Sequence, residues 1–199
     1  IITRGLQADS GSVVFNGEEI GNMAIGKVRQ KGMAYIPEDR MQFGCAGDMS
    51  IRDNIIADRY FKPEYRNGMF INQKYIDQIV DQYIKDFEIA CDDKREPVRM
   101  LSGGNIQKVV VAREFTSGSN FILANQPTRG IDVGAKQEIY GIMNELIQAG
   151  KSIIMISSDM EELLGMSDRI VVFCEGRVTG ELSKTEFCQE AVMSLASQS

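Results

Sequence analysis

The string Leu101-Ser102-Gly103-Gly104-Asn105-Ile106-Gln107-Lys108 constrains this chain more than any other stretch of it. A helical pattern opens there, and a short apolar run then ends in Ala124-Asn125-Gln126-Pro127-Thr128-Arg129-Gly130-Ile131-Asp132. Small residues ahead of a helix leave several backbone N–H groups unpaired and aimed at one point. They sit beside the positive end of the helix dipole, and the combination seats a phosphate. Ser102 adds a hydroxyl donor. From Leu101 onward helical patterns alternate with short β-branched strands, the mark of βαβ units around a parallel sheet. The expected fold class is α/β.

Strands are expected at Phe121–Ala124, Ser152–Ile156 and Ile170–Cys174, and helices at Gln107–Phe115, Gly134–Gln148 and Met160–Leu164. Glu175-Gly176 reads as a hairpin turn into Arg177–Leu182, and a last helix starts at about Thr185. Before Leu101 the pattern differs. Asn16-Gly17 after Ser12-Val13-Val14-Phe15 is a strong two-residue hairpin signal, because both central positions tolerate positive φ. Met23 to Gln30 reads as a short helix, and Met33 to Ile36 as a buried strand stopped by Pro37. Ser50-Ile51-Arg52-Asp53 has the form of a capping box for a helix running to about Phe61. A loop spans Pro63 to Gly68. Ile76, Ile79, Val80, Tyr83 and Phe87 then share one face of a helix over residues 72–87. Residues 45–98 therefore look like a helical insert.

A chain of 199 residues buries roughly 70% of its unfolded surface, enough for a real core. A net charge of −6 argues against a nonspecific nucleic-acid binder, whose affinity comes from surplus Lys and Arg. Cys45, Cys91, Cys174 and Cys188 are far apart, and no histidine exists to complete a zinc site with them. They read as reduced, buried thiols. No apolar run approaches the roughly 20 residues of a membrane span, and no signal-peptide pattern occurs, so the chain by itself is expected to be soluble.

The order of Ser-Gly-Gly loop, helix, buried strand and Pro-Thr-x-Gly-x-Asp turn closely resembles the signature motif, Walker B strand and D-loop of ABC-type ATPases. The resemblance covers nearly the whole chain. It implies a P-loop NTPase-like domain with a parallel sheet core, an antiparallel β element and a helical subdomain at 45–98. The signature, Walker B, D-loop and switch region would occupy 101–182. In this family two nucleotide-binding domains sandwich ATP head to tail. The resemblance therefore makes Ser102, Gly103 and Gly104 clamp the γ-phosphate of an ATP held by the other half, with Asn105 and Gln107 completing the signature and Asp132 linking the two sites. ATP and Mg²⁺ are the cofactors it implies for a full-length parent.

Several positions depart from the family pattern. Asn125 and Gln126 stand where the family has the Asp that orients Mg²⁺ and the Glu that polarises the attacking water. An amide takes no proton, and general-base help is worth a factor of ~10²–10⁴. Ser158 replaces the switch histidine. Glu38, in Tyr35-Ile36-Pro37-Glu38-Asp39-Arg40, stands at the Q-loop glutamine; an ordinary exposed Glu38–Arg40 ion pair, worth ~0–1 kcal/mol, is the plainer alternative. No catalytic residue is intact and no metal ligand is expected in this chain. No Gly-x-x-x-x-Gly-Lys-Ser/Thr occurs anywhere. The chain therefore reads as N-terminally truncated, with Ile1 to Leu6 at the end of the helix that this loop would begin.

The Pro-Glu-Asp-Arg string resembles the second ATPase half of tandem importers for sugars and nucleosides. Gln126-Pro127-Thr128-Arg129-Gly130 and Tyr60-Phe61-Lys62-Pro63 incline the resemblance toward nucleosides. The implied parent is a peripheral protein at the cytoplasmic face of the cell membrane. Its partners would be the other nucleotide-binding half, membrane-spanning permease subunits and, indirectly, an extracytoplasmic solute receptor, with no nucleic acid. The fragment alone is expected to be inactive. Two other classes compete: a regulatory module that contacts no nucleotide, and a DNA-repair ATPase. The latter would carry a long heptad coiled coil before the signature, and none is present.

Overall fold

The computed structural model describes residues 8–197, so the reading of Ile1 to Leu6 lies outside the described residues. Asn16 and Gly17, with φ of 50° and 78°, turn β1 (Val14–Phe15) into β2 (Glu18–Glu19), antiparallel as expected. Phe15 packs on Phe121 with ring centroids 5.6 Å apart, over a small core of Ile20, Val28 and Met33. Helix α1 (Ile25–Gln30) starts later than the sequence suggests, because Ala24 is extended at its N-cap. Strand β3 (Met33–Ile36) ends at Pro37 as expected.

Ser50 caps α2 (Ile51–Ile56): its hydroxyl accepts from Asp53 N at 3.0 Å and donates to Asp53 Oδ2 at 2.7 Å. The expected helix to Phe61 breaks at Ile56 into turns. Arg59 is the physical reason. Its side chain is 1% exposed, and it donates to Thr116 O at 3.0 Å, Thr116 Oγ1 at 2.7 Å and the Arg113 carbonyl. It thus occupies the last carbonyls of another helix. Next come a small hairpin, β4 (Arg66–Asn67) and β5 (Phe70–Ile71), where a plain loop was expected, and α3 (Gln73–Asp86) with Asn72 as N-cap. Ile76, Val80 and Phe87 are buried along its inner face.

The central element is α4 (Gly103–Phe115), whose residues from Ile106 to Ala112 are all buried. It begins at Gly103 rather than Gln107 because Ser102, extended at φ −63° and ψ 157°, serves as N-cap. Beside it run β6 (Phe121–Asn125), α5 (Val133–Gln148) and β7 (Ser152–Ile156). The sheet order is β3-β6-β7, with β3 and β6 parallel from Met33 opposite Phe121 to Ile36 opposite Ala124. Strand β7 is the sheet's edge among the described residues, and Ile154 and Ile156 are exposed on it.

The chain divides into two compact units, residues 1–154 and 155–199. The second holds α6 (Met160–Met166), β8 (Arg169–Cys174), β9 (Arg177–Ser183) and α7 (Gln189–Ala196). Glu175 and Gly176, at φ 48° and 79°, make the expected turn. Ile170, Val172, Leu182 and Val192 form this unit's core. A short 3-10 turn at Lys184–Glu186 precedes α7, so the last helix starts later than Thr185. The cysteines correct an expectation: Cys45, Cys91 and Cys174 are half-buried and Cys188 is exposed, its sulfur accepting from Ala191 N at the start of α7. Among the described residues no helix is long and apolar enough to cross a membrane.

Candidate functional site

Strands β3 and β6 run parallel, and their carboxyl ends deliver Pro37-Glu38 and Asn125-Gln126-Pro127 to the same edge of the sheet. Crevices outside the carboxyl ends of parallel strands are where open α/β sheets bind ligands. The start of α4 lies beside this edge. Gln107, 2% exposed, donates its Nε2 hydrogen to Pro127 O at 2.7 Å and so ties α4 to the turn after β6.

Ser102 is exposed. Its hydroxyl oxygen accepts from Asn105 N at 3.4 Å and Asn105 Nδ2 at 3.0 Å, while Asn105 Oδ1 accepts from Ala90 N at 2.8 Å. A hydroxyl that accepts twice keeps its own proton for a third partner. The first intrahelical bond is from Ile106 N to Ser102 O, so the amides of Gly103 and Gly104 stand ahead of the helical ladder. Both glycines are closely approached, and a side chain at either would displace a neighbour. A Cβ on Gly103 would lie 2.7 Å from Arg40 NH2, and one on Gly104 3.2 Å from Ala135 Cβ.

The turn after β6 is shaped by positive φ at Gln126 (52°) and Gly130 (67°), with Arg129 N donating to Gln126 O at 3.1 Å. Asp132 ends it as the N-cap of α5, accepting from Ala135 N at 3.0 Å. That backbone hydrogen bond holds the Asp132 carboxyl below its ordinary pKa. Its charge lies near Gly104.

Three contacts that the sequence did not reveal bind this site together. Arg40 donates to Arg129 O at 2.7 Å and Gly130 O at 3.3 Å. Glu38 pairs with Arg129 and not with Arg40. Lys108, buried, donates to Glu88 O at 2.9 Å and pairs with Glu138 of α5. The partners of Glu38 and Arg40 are 89 to 91 residues away in sequence, and no local periodicity reports such a pairing. Ser158 lies in the second unit, exposed, between Ser157 and the Asp159 cap of α6.

Phosphate chemistry fits the start of α4: a hydroxyl proton, two leading amides and the positive end of a helix of 13 residues. A divalent cation does not fit the end of β6. Asn125 and Gln126 bring neutral amides there, and among the described residues no group of three or more Asp, Glu, Cys or His could hold a metal.

The family model described as ABC transporter matches residues 1–129. A ribose import ATP-binding protein of Clostridium perfringens is 42% identical over 187 residues, 94% of this chain and 37% of that protein. A putative ribose/galactose/methyl galactoside import ATP-binding protein of Albidiferax ferrireducens is 42% identical over 190 residues, 96% of this chain and 38% of that protein. The chain thus spans under two fifths of the length of these curated relatives. A nucleotide-free ATP-binding cassette from an ABC transporter superposes with a TM-score of 0.75 at 20% identity, covering 100% of this chain and 81% of that one. The dimeric structure of an ATP-binding cassette in a post-hydrolysis state bound to ADP and Pi gives 0.75 at 21% identity, covering 90% and 75%. At those identities the structural likeness concerns the fold. Motif order, family match and relatives agree: the chain belongs to the ABC transporter family and has the fold of its ATP-binding cassettes.

Proposed function

We propose that this chain is part of the ATP-binding subunit of an ABC importer that powers uptake of a sugar. In this reading it closes, through its signature motif, on an ATP held by the other nucleotide-binding half. One observation carries the reading: the Ser102 hydroxyl accepts both Asn105 bonds and keeps its proton to donate, at an exposed helix start whose first residues are glycines. Ser102, Gly103 and Gly104 clamp the γ-phosphate. Asn105 orients Ser102. Gln107, whose amide is spent on Pro127, supports the turn rather than touching nucleotide, and Asp132 links the two sites.

The chain's own half-site is degenerate. Asn125 and Gln126 offer no general base, a deficit of ~10²–10⁴ in rate, and Ser158 and Glu38 replace an imidazole and an amide. The full-length protein hydrolyses ATP at the competent site, whose Mg²⁺ the other half holds, and this chain alone is inactive. Residues 45–98 form the insert that meets the permease subunits together with Glu38, and 101–182 hold the signature, Walker B, D-loop and switch segments. The assembly sits at the cytoplasmic face of the membrane, and a solute receptor acts on it indirectly. The sugar assignment rests on the relatives, which are ribose and galactose import ATP-binding proteins, and is preferred to the nucleoside reading drawn from residues 60–63 and 126–130.

Steady-state ATP turnover by the full-length protein in its transporter tests this. Ser102→Arg is expected to abolish turnover, while Gln126→Ala leaves it nearly unchanged. The reverse result would make the local site catalytic despite its amides. Unchanged turnover in Ser102→Arg would favour a module that contacts no nucleotide.

A further inference from the structure

Arg40 occupies a position that neither the phosphate seat nor the degenerate half-site accounts for. Asp39 Oδ1 accepts from Met41 N at 3.0 Å and Gln42 N at 2.9 Å, which fixes the backbone of the Arg40–Gly44 turn. Gly44 closes that turn against α4, where an added Cβ would lie 3.2 Å from Val110 Cγ2. From this anchored base the guanidinium crosses the face of Gly103 and forks onto two successive carbonyls, Arg129 O and Gly130 O. Gly130, at a left-handed φ of 67°, shapes the turn that presents these two adjacent carbonyls to one fork. Arg40 therefore recognises a conformation of this turn, and a planar fork suits two acceptors where an ammonium suits one.

We propose that Arg40 is a positioning residue that holds the Arg129–Gly130 turn, and with it Asp132, in register with the Ser102–Gly104 seat. Glu38–Arg129 is a second, weaker tie, because both side chains are largely exposed and such pairs are screened by salt. Gly103 has two duties in this account: it lets phosphate approach and it leaves Arg40 room to cross. A shift of the segment from Glu38 to Gly44 would then reach the seat through Arg40. The coupling to phosphate binding rests on the function proposed above, whereas the tie itself does not.

Hydrogen exchange and turnover of the full-length protein, measured together, separate the two. In nucleotide-free protein the amides of Arg129, bonded to Gln126 O, and Ala135, bonded to Asp132 Oδ1, are expected to exchange about ten-fold faster in Arg40→Ala, and several-fold faster in Arg40→Lys, with α3 unchanged. Gly103→Ala, which displaces the guanidinium without removing it, is expected to speed the same amides. In wild-type protein these amides should stay protected in about 1 M salt, where the Glu38–Arg129 pair is screened. Over a range of ATP concentrations, turnover by Arg40→Lys is expected to show a lower kcat with little change in KM. Unchanged exchange of the Arg129 and Ala135 amides in Arg40→Lys and Gly103→Ala overturns the tie whatever turnover does, and so does loss of their wild-type protection in high salt. Faster exchange with unchanged turnover upholds the tie and counts against the phosphate-seat reading.

Discussion

Glu114 is 1% exposed and its carboxylate is fully engaged. It receives Arg29 NH2 at 2.9 Å, Arg113 Nε at 2.9 Å and the backbone N–H of Tyr35 at 3.1 Å. Burial alone would lower the pKa of Arg29, but the charges of Glu114 and Asp58 outweigh it and raise the value. Removing one partner of such a pair leaves an uncompensated charge. Glu114→Ala is therefore expected to destabilise the chain by ~3–5 kcal/mol in urea unfolding, and a loss below ~1 kcal/mol would mean that Arg29 and Arg113 rehydrate freely. Tyr65 sets a pH limit. Burial first, and the neighbouring Tyr83 second, push its phenol up to about 12. Between the ordinary value near 10 and about 12, the folded state holds a proton that the unfolded state has released. Stability from this group is fully present below pH 10 and lost as pH rises through about 12. Ultraviolet titration of wild type against Tyr65→Phe should show one phenol that ionises late, and its absence would show that Tyr65 is open to solvent.

Helix boundaries here are decided by caps and by long side chains that return from elsewhere. Ser50, Asn72, Ser102 and Asp132 each accept from the third residue of the helix they start; the starts at Ser50 and Asn72 were legible because the capping residue is local, whereas α4 was expected to begin only at Gln107 and α5 at Gly134. Ser50→Ala is expected to cost ~1 kcal/mol, measured as a shift in the unfolding midpoint, whereas Ser50→Thr should be close to neutral. The end of α2 was not legible. Residues 57–61 are compatible with helix by propensity, but Arg59 is drawn onto the carbonyl end of α4, a partner 54 to 57 residues away. The glycines ahead of α4 were readable from their neighbours alone as an open helix entry. That Gly103 also lies under Arg40 was not.

At the scale of the molecule the chain divides into two compact units, each with buried apolar residues of its own. The larger unit buries the length of α4, and the smaller joins Ile170, Val172, Leu182 and Val192. Units with independent cores open independently. Leu182→Ala, which empties a buried site in β9, should speed amide exchange in β8, β9 and α7 while leaving α4 protected. Equal loss of protection in α4 would show that the two units unfold as one.

Local chemistry settled the α/β class, the Ser50-capped start of α2 and the Asn16-Gly17 and Glu175-Gly176 turns, because each depends on neighbours within a few residues. The same local chemistry placed neutral amides at Asn125 and Gln126, where a metal or a base would need charge. Tertiary structure alone decided what crosses between distant segments. It paired Glu38 with Arg129, laid Arg40 over Gly103, turned Gln107 inward to Pro127 and locked Lys108 between Glu88 and Glu138. Such contacts depend on where the parallel strands β3 and β6 deliver their carboxyl ends, and a one-dimensional pattern does not encode that meeting point.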